Sequence, residues 1–150
     1  MSLTKQIEIV PLTCIYPAQG IEICPIDTAG VTEFHMPSSH ETLVVHIAPG
    51  IVEALMVHHF QTDQLFVVKG SAILVVLLDR TYQYIVMRED DPKIVRIPWG
   101  VPHGAINLSS EPCVAINSVI RHGATHERDF RPIKYRIPYD LQAAQALLAA

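Results

Sequence analysis

The chain is a succession of short apolar runs, each closed by turn residues. Five are clearest: Leu43–Ile47, Leu65–Val68, Ala72–Leu78, Ile94–Ile97 and Val114–Ile120. They are rich in Val and Ile, which pack well on a pleated, half-buried surface. Between them Pro and Gly act as punctuation, at Pro49-Gly50, Gly70, Pro92, Pro98-Trp99-Gly100, Pro112 and Gly123. Short β-branched runs at this spacing predict an all-β sandwich or barrel. Prolines fall too often through the middle of the chain for helices there. One helix is predicted, Leu141–Ala150, from its Ala, Leu and Gln content. Ten residues are marginal alone in water, so this helix must dock on something or fray.

The run Ile73–Leu78 is apolar at six consecutive positions. A strand with one wet face alternates, so both faces of this one are predicted to be buried. One face lines a core. The other needs a second layer or another subunit. With a low charge content and an Ala/Leu-rich C-terminus, this predicts a homodimer in which sheets pack face to face, the helix adding cover at the seam. The alternative is cover by N-terminal strands, Ile7–Cys14 and Ile21–Cys24, of the same chain.

Composition narrows the class. The 150 residues are read as a single domain. Hydrophobic residues make up 49% and charged residues 17%, against roughly 25% charged in an average domain. That excludes a disordered tail and a coiled coil. A net charge of −4 makes a phosphate-backbone binder a poor fit, so no nucleic-acid partner is expected. No apolar run reaches the length of a membrane helix, and Met1–Val10 has no apolar signal core. Cys14, Cys24 and Cys113 form no CxxC spacing. The expectation is a cytoplasmic protein with free, mostly buried thiols.

The candidate chemistry sits in two stretches. Residues 98–107 read P-x-G-x-x-H-x-x-x-N, with Pro98, Gly100, His103 and Asn107 at the fixed positions. A Pro-Gly turn re-aims the chain into a new strand, and period-2 alternation sets His103, Ala105 and Asn107 on one face. Upstream, His58 and His59 precede Asp63, which precedes Gly70 at the end of an apolar strand.

Together these stretches, within residues 50–70 and 92–107, resemble the two signature motifs of the cupin superfamily. The resemblance implies a jelly-roll barrel with a short C-terminal helix, and a small-molecule pocket at its mouth. Gly50, His59, Asp63 and Gly70 keep the frame of the first motif, with Asp63 where the family has Glu. Val57 stands in the place of its first histidine, beside His58. In cupins the matched residues hold a divalent metal. Carried over, the ligands would be His59, Asp63 and His103, a set suited to Fe, Mn or Zn, with His46 as a fourth if it faces inward. The opposing reading is a hydrogen-bonded polar cluster without metal. His58 and His59 cannot both enter the barrel without a bulge, and the sequence leaves open which does.

The segment Arg96–Ser109 also resembles the I-P-x-G-x-x-H-G-x-x-x-L-S stretch of the dTDP-4-dehydrorhamnose 3,5-epimerase group. That resemblance implies proton removal beside a ketone by a histidine base, here His58 or His59, with His103 as a further catalytic candidate. The group's tyrosine, lysine and R-G-x-H-x-Q motif are not matched. Three classes follow: a metal-dependent oxygenase or isomerase, a metal-free sugar-nucleotide epimerase, and a non-catalytic binding module. Arg121–Asp129 reads as a surface loop with weak local ion pairs, and Trp99 as a turn residue at the barrel mouth.

Overall fold

The computed structural model describes residues 6–11, 15–23, 41–129 and 131–150. Cys14, Cys24, His35 and His40 lie outside this set. The first sheet has five antiparallel strands: β1 (Glu8–Pro11), β8 (Lys93–Ile97), β5 (Gln61–Lys69), β10 (Cys113–Arg121) and β4 (Glu41–Ile47), in that spatial order. The second has three: β7 (Thr81–Arg88), β6 (Ser71–Leu78) and β9 (His103–Ile106). A short hairpin joins β2 (Ile15–Ala18) to β3 (Ile21–Ile23). The helix α1 spans Leu141–Ala149.

All five apolar runs fall in strands. β7 does not stand out as such a run, because Thr81-Tyr82-Gln83-Tyr84 alternates and leaves its first half part-exposed. The two large sheets pack face to face. Val67, Val95, Ile97 and Ala115 of the first meet Ala72, Leu74 and Val76 of the second in one buried cluster. Gly70 closes the β5–β6 turn at φ +79°, and a Cβ there would stand 2.6 Å from the Pro112 carbonyl oxygen. Only glycine fits that backbone without strain.

Both faces of β6 are buried, as its unbroken run predicts, but the outer cover comes from the same chain. Ile73 and Val75 are fully buried beneath Ala144 and Leu148 of α1, with Tyr82, Tyr84 and Tyr139 alongside. Because α1 covers this face within the chain, the unbroken run of β6 does not by itself call for a second subunit. Asp140 caps α1 by accepting from Ala143 N at 2.9 Å. At the other end the Arg88 guanidinium donates to the Leu148 carbonyl. A cation at a helix C-terminus offsets its partial negative charge. Among the described residues, no helix is long and apolar enough to cross a membrane.

Candidate active site

A cavity of about 250 Å³ lies between the two sheets. Its walls are largely apolar, from Leu43, Val45, Ile47, Leu65, Val67 and Leu74. Its polar groups converge at one end: His58, Gln61, Asp63, His103, Glu53 and Asn117.

Asp63 is the hub. It comes from β5 and is 3% exposed. Its Oδ2 lies 3.0 Å from His103 Nε2 and 3.4 Å from His58 Nε2. Its Oδ1 accepts from Gln61 Nε2 at 2.7 Å. The Gln61 Oε1 in turn accepts from Arg121 at 2.6 Å, which orients the amide so that its NH₂ faces the carboxylate. Burial alone would raise the Asp63 pKa. The hydrogen bonds from His103 and His58, and their charges, hold it well below the usual carboxylate range.

His103 opens β9 and is also buried. Its Nδ1 faces the Val101 carbonyl oxygen at 2.9 Å. A carbonyl only accepts, so Nδ1 carries a proton. Nε2 faces an ionised carboxylate, which also only accepts. Both nitrogens therefore donate, and His103 is an imidazolium paired with Asp63. Burial opposes this charge, but Asp63, the Val101 carbonyl and Glu53 raise the pKa net. The Glu53 carboxylate is itself fixed by the Ala105 amide at 2.9 Å.

The adjacent histidines divide between two faces. Met56 pairs with His103 through reciprocal backbone bonds of 2.8 and 3.0 Å, so Met56 and then His58 point into the cavity. The chain bends at 59–60 before β5 begins. The bend resets the alternation, so that Gln61 and Asp63 again face inward. The assignment of His59 to the centre with Asp63 and His103 is thus corrected: His58 joins them, with its ring centroid 5.2 Å from that of His103. The Gly100 amide, in a turn at φ +77°, donates to the His58 carbonyl at 2.7 Å and holds the segment against the Pro98–Gly100 turn.

His59 faces out and donates its Nδ1–H to Asp129 Oδ1 at 2.7 Å. Asp129 also accepts from the backbone amides of His59 and His126, at 3.0 and 2.9 Å. It is fully buried, which corrects the surface-loop reading at that residue. His46 is exposed on the outer face of β4, across from Val114, and is no fourth ligand. Asn107 lies past the end of β9. Its amide donates to the Ile47 and Glu111 carbonyls and accepts from Ser109, so it ties a turn and does not line the cavity. Trp99 is 48% exposed. The sequence reading missed Gln61, Glu53, Arg121 and Asn117. Period-2 counting from Asp63 would have found Gln61.

Two imidazole nitrogens and one carboxylate, mutually within 4.8 Å, can move a proton or hold a divalent cation.

No family model matches the chain, and no curated protein matches it. Solved structures do. A dTDP-4-dehydrorhamnose 3,5-epimerase from Sulfolobus tokodaii superposes with a TM-score of 0.70 at 19% identity, over 89% of this chain and 81% of its own. A dTDP sugar isomerase from Desulfovibrio desulfuricans G20 gives 0.63 at 18%, over 86% and 88%. A 3,4-ketoisomerase from Thermoanaerobacterium thermosaccharolyticum, solved with TDP-4-keto-6-deoxyglucose, gives 0.63 at 14%, over 86% and 87%. At these identities the likeness establishes the fold, a cupin-type jelly roll.

Proposed function

We propose that the chain is a sugar-nucleotide isomerase or epimerase that moves a proton beside a ketone. The observation that carries this reading is the buried His58–Asp63–His103 centre at the polar end of an apolar cavity. At about 250 Å³ the cavity is slightly below the usual range for whole small-molecule ligands. It suits one sugar ring, with the nucleotide outside. His58, through Nδ1, the ring nitrogen that does not face Asp63, takes the proton from the carbon next to the carbonyl. The His103 imidazolium donates toward the carbonyl oxygen as negative charge develops there. Asp63 orients both rings and keeps His103 charged. The ketone reaches the neighbouring carbon when the adjacent hydroxyl returns its proton to His103 and His58 delivers its proton to the former carbonyl carbon; among the described residues no tyrosine lines the cavity. The named sugar-nucleotide enzymes of the same fold support this choice of substrate class.

The test is deuterium wash-in from D₂O into TDP-4-keto-6-deoxyglucose, followed by proton NMR. Wild type should exchange a proton beside the ketone, and His58→Asn and His103→Asn should slow this by about 10²–10⁴-fold. Exchange by both variants at the wild-type rate would overturn the reading.

A divalent cation at the same centre is the second reading, leading to an oxygenase or a metal-dependent isomerase. The favouring observation is the His103 Nδ1 bond to a backbone carbonyl, which is how ligating histidines are commonly oriented. His58, His103 and Asp63 would hold Fe, Mn or Zn, which when bound would polarise a carbonyl. Stoichiometric metal after reconstitution, lost in His103→Ala, would support it. Wash-in that survives chelation in metal-free protein would sink it.

The homodimer is retained as a proposal, moved to the outer face of the five-stranded sheet. There Val44, Ile116 and Phe66 lie in one row across three strands, and Val44 is 59% exposed. Sedimentation at micromolar concentration should give twice the 16.7 kDa chain mass, and a species at that mass would refute it.

A further inference from the structure

We infer a second binding site, outside the barrel, for the phosphoryl group of a small molecule. A pocket of about 420 Å³ is lined by Val57, His59, Arg128, Arg131, Pro132 and Ile133. It shares no lining residue with the barrel cavity. Asp129 N donates to the His126 carbonyl and Arg131 N to the Arg128 carbonyl, both at 3.1 Å. Arg128 and Arg131 both line the pocket. Neither guanidinium has an ion pair among the described residues. Residues 121–136 carry five Lys and Arg against two acidic residues, in a chain of net charge −4.

Neither acidic residue of this stretch, Glu127 or Asp129, lines the pocket. Asp129 is fully buried, and His59 and two backbone amides already occupy its oxygens. His59 is thereby oriented, with Nε2 as the remaining polar atom of a side chain 40% exposed. A neutral ring with Nδ1–H accepts at Nε2 from the proton of a hydrogenphosphate, and an imidazolium donates there to a phosphate oxygen. Either form suits a phosphoryl group, with two arginines supplying charge and fork geometry. His59, His126 and Asp129 have metal-ligand composition. However, the His126 Nδ1 is used by the Arg128 amide at 3.1 Å, and the flanking arginines repel a cation. An anion is the better occupant.

The probe is inorganic pyrophosphate, titrated calorimetrically and by NMR of the histidine rings. It should bind with one-to-one stoichiometry and shift the His59 signals. Arg128→Gln and Arg131→Gln, whose side chains support nothing else described, should each weaken binding by about tenfold or more. His103→Asn should bind pyrophosphate as wild type does, which separates this site from the barrel reading. Tighter binding of thymidine diphosphate than of pyrophosphate would identify a nucleotide tail as the source, and equal binding a free anion. Both support the site. No binding at millimolar pyrophosphate, shifts confined to His58 and His103, affinity unchanged in the double arginine variant, or binding of single-stranded RNA alone would overturn it.

Discussion

The interior and exterior histidine clusters have the same composition, two imidazoles and one buried carboxylate, and they start from adjacent residues. They do opposite things. Inside, Asp63 spends both oxygens on side chains, His103, His58 and Gln61, and it faces a cavity. Outside, Asp129 takes two of its three bonds from backbone amides and clasps the 122–129 loop to the chain at His59. Residue types alone therefore do not locate a reactive centre. What distinguishes the two is whether the carboxylate serves mobile protons next to open space or fixed amides next to a loop.

Asp129 is a stability residue first. Asp129→Ala leaves two part-buried amides and the His59 ring without their acceptor. Loss of charge-assisted bonds of this kind costs about 3 kcal/mol, which for a chain of this size lowers Tm by about 6–12 °C. A calorimetric Tm equal to that of wild type would show that the clasp contributes nothing and would erase the distinction.

A smaller effect separates the clusters by pH. The folded-state pKa of His103 is raised from 6.5. Its contribution to stability is therefore fully present below 6.5 and is lost as pH rises through the folded value. Asp63 is shifted the other way, from 3.8, so its contribution is present above 3.8 and is lost as pH falls through its folded value. Between these limits both act. Urea unfolding should show His103→Asn more costly at about pH 6 than at about pH 9. An equal penalty at both would mean that the buried pair is not ionised.

Much of this fold was legible because its signals are local. β-branched runs between Pro and Gly marked the core strands, and the Pro98–Gly100 turn with His103 marked the start of β9. Asp63 and His103 were legible as partners for the same reason, each being anchored to a turn by a short count. The choice of His58 over His59 was not, because it depends on a bend at 59–60 that resets the alternation. That bend is held from afar, by Gly100 N on the His58 carbonyl and His122 N on the Phe60 carbonyl. The cover over β6 was hidden similarly. Apolar residues on a strand report that something covers them, and only the path of residues 131–150 shows that α1 does so within the same chain.

In the resting protein His103 is an imidazolium held by Asp63. Nitrogen-15 NMR of histidine-labelled protein at pH 7 reads this directly, with His103→Asn identifying the signals. Two protonated ring nitrogens on His103, one bonded to the Val101 carbonyl and one to a carboxylate, are the predicted result. A single proton on Nδ1, with Nε2 bare at pH 7, would contradict the proton-transfer centre.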